Sequence, residues 1–108
     1  SVASTGYSSN TYACANTSDQ VFLLSYAEAT SAIYGLSTDS SRQLKPSAYA
    51  QSQGVQTYSN GNSYWWLRSP TSRDADCARF VDRDGNVYYD YIVSTSNYGV
   101  VPALWISL

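Results

Sequence analysis

Histidine is absent from this sequence, and glutamate occurs once, at Glu28. The commonest general base is therefore missing, and no serine or cysteine has an obvious partner to activate it as a nucleophile. The chain is expected to be non-catalytic. Methionine is missing too, position 1 included, and no signal peptide opens the chain, which reads as a mature product or a cut fragment. Charged residues make up only 13%, against about 25% in ordinary domains. The net charge is −2 and the pI near 4.6. A nucleic-acid partner needs a basic face, so none is expected. No apolar run approaches the ~18 residues of a membrane span, so no membrane insertion is expected. Cysteine occurs only at Cys14 and Cys77. Without histidine beside them a zinc site is not expected; a disulfide closing a long loop and two separate thiols both stay open. No cofactor and no metal are expected.

What fills the space left by charge is Ser, Thr, Asn, Gln and 11 Tyr. Such side chains make polar surface without strong fields, as extracellular domains and binding loops often do. The length of 108 residues suits a single domain. Residues 1–19 are aperiodic and read as an extended lead-in; 20–108 read as the domain proper. Gln20–Leu24 fits a short buried strand. Ser25 with Glu28 three residues on forms a capping box, which predicts a helix over Tyr26–Tyr34, stopped at Gly35. Asp39–Lys45 reads as loop. Pro46 predicts a second short helix over Ser47–Gln53, ended by Gly54. Ser59-Asn60-Gly61-Asn62 is a turn signal. Strands follow at Tyr64–Arg68, ended by Pro70, at Ala78–Val81 and at Val87–Val93, the last two joined by the hairpin signal Asp84-Gly85-Asn86. In the closing run Tyr98–Leu108, Pro102 marks an edge, a bulge or a break. Helices first and hairpin-linked strands after predict α+β: two short helices with a small antiparallel sheet.

Several groups invite a functional reading. Trp65, Trp66 and Trp105 could form a sugar-stacking platform, but adjacent strand residues face opposite sides, so at least one of Trp65 and Trp66 points inward, and all three read first as core. Arg68 could grip a ligand carboxylate and reads first as a structural clamp on backbone carbonyls. The segment 68–90 holds nine of the chain's 14 charges, four Arg and five Asp, as a solvated face of weak ion pairs or as a recognition surface. Asp82-x-Asp84-Gly85-Asn86 resembles a calcium loop, but its glycine stands fourth rather than sixth and no glutamate follows at the required place, so a hairpin turn is the better account. From Asn86 to Tyr98, ten of 13 residues are Asn, Tyr, Asp, Ser or Thr. That composition suits a paratope-like surface and equally an exposed hairpin with cross-strand tyrosine pairs.

Three strings carry a resemblance: Val21-Phe22-Leu23-Leu24-Ser25 with Glu28, Trp65-Trp66-Leu67-Arg68-Ser69-Pro70, and Gly99-Val100-Val101-Pro102-Ala103-Leu104-Trp105. Together with Lys45-Pro46-Ser47-Ala48-Tyr49-Ala50 and Gly54 they resemble a bacterial family of uncharacterised domains, common in gut Firmicutes and often attached to surface or secreted proteins. The resemblance covers about residues 18–108. The family usually carries Arg where this chain has Val101, and its members tend to have a longer N-terminal portion. The layout also resembles the C-type lectin-like fold, including the variable proteins of diversity-generating retroelements. The resemblance implies a C-type-lectin-like binding module of an exported or cell-surface bacterial or phage protein, located outside the cell, with a protein or carbohydrate ligand. The alternative is a structural or assembly domain with no ligand of its own. The ligand-binding surface is expected to run through Arg73, Asp74, Asp76, Arg79, Asp82, Arg83, Tyr88, Asp90, Tyr91 and Tyr98.

Overall fold

The computed structural model describes residues 21–70, 77–92 and 97–104, with the backbone alone for 89–92. The architecture is α+β, with two short helices and antiparallel sheets. Strand β1 (Phe22–Leu23) leads into helix α1 (Tyr26–Ala29). A single 3-10 turn, Ser40–Arg42, and helix α2 (Ala48–Ser52) follow. Then come β2 (Trp65–Pro70), β3 (Cys77–Val81), β4 (Val87–Ile92) and β5 (Pro102–Ala103). One sheet has the order β2-β3-β4, and β1 pairs with β5 in a second.

Each short element has a local cause. The capping box at α1 is complete: Ser25 Oγ accepts from the Glu28 amide (3.2 Å) and Glu28 Oε1 from the Ser25 amide (2.8 Å). The helix is shorter than the expected Tyr26–Tyr34. Thr30 leaves helical geometry, and its hydroxyl donates back to the Tyr26 carbonyl (2.8 Å), a local bond that competes with continuing the helix. Ile33 is consequently left 90% exposed. Helix α2 ends as its glycine foretold. Gly54 has φ +103, and the amides of Gly54 and Val55 donate to Gln51 and Ala50, a Schellman closure. Pro102 pairs with Leu23 in a two-residue strand, a short pairing that tolerates a missing amide hydrogen.

The core is small. Ala29, Trp65, Leu67 and Val81 are buried together, with Leu24, Val87 and Val101 packed against them. Alternation explains the choice. Trp65 pairs with Val81 and Val81 with Val87 on the core side, so Trp66, Phe80 and Tyr88, paired in the same ladder, rise from the opposite face. The two sheets are stitched along the outer edge of β2: the Arg68 amide donates to Leu24 (2.9 Å), the Trp66 amide to Gly99 (3.0 Å) and the Gly99 amide to Tyr64 (2.7 Å). Among the described residues no helix is long and apolar enough to cross a membrane.

Candidate functional site

The string Trp65–Pro70 is the structural hub. Trp65 Nε1 donates to the buried Arg42 carbonyl (3.0 Å). Leu67 fills the core. Arg68 donates to the Leu23 carbonyl (2.8 Å), pairs with the Glu28 carboxylate and lies over the Phe22 ring. Ser69 Oγ accepts from the Tyr26 amide at the start of α1 (2.8 Å). Arg68 is thus a clamp on β1 and α1, as its place beside the tryptophans suggested. Burial pushes the Glu28 carboxyl up, but the Ser25 amide and the Arg68 guanidinium outweigh it and hold Glu28 below the ordinary carboxylate value.

The hairpin turn between β3 and β4 is equally internal. The Asp82 carboxylate accepts from the amides of Asp84 (3.0 Å) and Asn86 (2.8 Å), so its oxygens serve the turn. Arg42 reaches the same turn, donating from Nε to Gly85 (2.7 Å), from Nη1 to Leu36 (2.7 Å) and from Nη2 to Asp39 (2.5 Å). The Arg83 carbonyl accepts from the side-chain amides of Asn60 and Asn62, each at 3.0 Å. The turn at Tyr58–Asn62 is thereby docked on the hairpin.

The face away from the core carries a row of aromatic rings. Tyr58 stacks on Tyr64 (4.6 Å between ring centres), Tyr64 on Phe80 (5.6 Å) and Phe80 on Tyr88 (5.5 Å), the last two pairs only 11° from parallel. Tyr98 packs against Trp66 (4.8 Å), Tyr64 (5.0 Å) and Phe80 (5.2 Å). The Arg83 guanidinium lies 5.5 Å over the Tyr58 ring and closes that end of the row. Tyr88, 45% exposed, ends the other. Burial first, then the neighbouring Tyr58 and Asp82, raise the Tyr64 phenol above its ordinary value, so it stays a neutral hydroxyl.

Of the ten residues expected on one exposed surface, the structure brings Arg83, Tyr88 and Tyr98 to this aromatic face, Tyr98 buried within it. The placement of Arg79 and Asp82 at the surface is corrected: both are buried. Arg79 stands on the core side of β3 with its guanidinium 3.9 Å over the Tyr26 ring, and Asp82 is drawn in by its turn amides. Asp90 and Tyr91 lie in β4, Tyr91 opposite Ala78. Arg73, Asp74 and Asp76 fall outside the described residues, as do Cys14 and Trp105. Tyr58, Tyr64 and Phe80 were not singled out. Pairing β3 with β4 around Asp84-Gly85 puts Phe80 and Tyr88 on one face, a signal present in the sequence. A separate apolar groove of about 200 Å³ lies between α1 and the β1–β5 pair, lined by Phe22, Leu24, Glu28, Tyr34, Ala103 and Leu104.

Comparison with known families adds one decisive match, to a domain of unknown function, DUF6273, over residues 2–108. The chain belongs to the DUF6273 family. The match takes in the lead-in that the motifs alone left out. No curated protein and no solved structure matches the chain. In this DUF6273 domain, Val101 packs against the core, where an arginine would need a polar partner.

Proposed function

We propose that this domain is a non-catalytic recognition module, with a C-type-lectin-like fold, carried by an exported or cell-surface bacterial or phage protein, and that its ligand is a protein or a glycan. The observation that carries the proposal is the aromatic row Tyr58–Tyr64–Phe80–Tyr88 on the sheet face opposite the core, open at Tyr88. Tyrosine presents rigid area with a polar tip at low entropic cost. Support for the fold is the layout of two short helices ahead of hairpin-linked strands. Support for a place outside the cell is the low charge and the Ser, Asn and Tyr surface. A retroelement-diversified variable protein is one form of such a module; a reverse transcriptase and template repeat beside the gene would be its mark.

A structural or assembly role is the second reading. It is favoured by Val21, Ile33, Tyr34 and Leu104, all exposed, each of them lining the α1 groove or adjoining a residue that does.

The test is a screen of the chain against a glycan array and a panel of bacterial and host surface proteins, beside a variant carrying Arg83→Ala and Tyr88→Ala. These two positions are chosen because Arg79 and Asp82 hold the fold. A binder lost in the variant, with its circular dichroism intact, supports recognition through this face. Binding to neither form shifts the weight to assembly.

A further inference from the structure

The three-stranded sheet has two unlike edges. The outer side of β2 is closed by Leu24 and Gly99. On the other side, β4 is last in the order and, among the described residues, is paired with β3 alone. Edge strands of natural proteins are usually guarded by lysine, proline or a covering element. The strand Val87–Ile92 reads VYYDYI and holds neither lysine nor proline.

The aromatic row runs in the same direction as the sheet and is open at the same end. Arg83 covers Tyr58 at one end, whereas Tyr88 stands on the edge strand. Rings 5.5 and 5.6 Å apart and 11° from parallel occupy one another's faces, so within the row a pyranose finds edges rather than open faces. Tyr88 has a neighbour on the Phe80 side and is 45% exposed. A strand added beside β4 would stand at the normal interstrand spacing of about 4.8 Å, the distance at which its own ring continues the stack.

We infer, building on the recognition role proposed above, that β4 is the recognition edge and that its ligand is an extended peptide segment, neutral or basic, which adds as a fourth strand and lays an aromatic side chain on Tyr88. The alternating amide and carbonyl groups of a strand edge are matched by another backbone, which supplies affinity, and the ring contact supplies selectivity. Charge complementarity chooses the sign: the one charge in β4 is Asp90 and the whole chain carries −2. The same charges disfavour a second copy, which would set two Asp90-bearing strands side by side.

The experiment selects short random peptides displayed on phage against the immobilised 108-residue chain. Enriched peptides are then synthesised plain and with one or the other alternate set of backbone amides N-methylated. The expected result is an aromatic residue common to the enriched peptides, and a loss of about tenfold or more when one amide set is methylated but not the other. Tyr88→Leu, which keeps apolar cover but removes the ring, should weaken binding by about tenfold as well. Equal effects of both methylation sets, or none, overturn the inference. A dimer in sedimentation equilibrium that Tyr88→Leu dissociates also overturns it, since a second copy then holds the edge. A glycan bound through Arg83 and Tyr88 without any enriched peptide leaves the recognition role standing and removes the β4 peptide site. Absence of both removes the two together.

Discussion

Single residues do unusually specific work in this domain. Gly85 has φ +89, and a Cβ there would stand 1.7 Å from the Asp39 carbonyl oxygen. Arg42 approaches the same turn, so neither side can retreat without breaking a buried guanidinium's bonds. Gly85→Ala should therefore cost about 3 kcal/mol or more, adding left-handed strain to the clash. Urea denaturation checks this, and a loss under about 1 kcal/mol would mean the turn is not docked on Asp39. Glu28 sets an acid limit. Its carboxyl is held below an ordinary value near 4.5, and a depressed carboxylate contributes stability that is present above the unfolded value and is lost as pH falls through the folded one. Wild-type stability should therefore fall with decreasing pH below about 4.5. Glu28→Gln, which keeps the capping geometry, should flatten that slope. An unchanged slope in denaturation curves taken across this window would show that Glu28 is not the responsible group.

At the scale of elements, the sheet is one ladder with two faces. Trp65, Leu67, Val81 and Val87 serve the core, and Trp66, Phe80 and Tyr88 the aromatic row. Phe80 sits at the centre of that row, in contact with Tyr64, Trp66, Tyr88 and Tyr98. Phe80→Ala should destabilise by about 3–5 kcal/mol, the range for a buried aromatic. Arg83→Ala, at the capped end, should change stability by less than about 1 kcal/mol. Comparable small losses at both positions in urea titrations would mean that the rings do not pack as a unit. The helices contribute less. Each is a turn or so long, well short of independent stability; both are capped, and α1 is held in addition by Arg68 and Ser69 of β2.

At the scale of the whole molecule, two small sheets share their stability. Leu24 and Gly99 bond to β2, Arg68 grips Leu23 and Glu28, and Ser69 receives the first amide of α1. The described parts have no separate core to unfold by itself. Thermal unfolding should be a single transition, with far-ultraviolet and near-ultraviolet circular dichroism tracing the same curve. Curves that separate would show that the β1–β5 pair melts independently.

The local signals in the sequence were sufficient for the local structure. Ser25 and Glu28, Gly54, and Asp84-Gly85 act through bonds between near neighbours, so the capping box, the end of α2 and the β3–β4 hairpin could be read directly. Alternation required at least one of Trp65 and Trp66 to point inward, and the structure shows that it is Trp65. The helix over Tyr26–Tyr34 came out too long because nothing in periodicity weighs the Thr30 hydroxyl against the next turn. The surface expected through Arg79 and Asp82 depended on more than composition. Charge clustering says where charged residues lie along the chain, not which of them will find a ring or a set of amides inside. Only tertiary structure laid Tyr26 under Arg79, brought Asp39 and Arg42 against the hairpin, and joined Tyr58 and Tyr64 to Phe80 and Tyr88. Those contacts span some 15 to 55 positions, and burial decides them: a guanidinium or carboxylate enters the interior only where partners from distant segments replace its water.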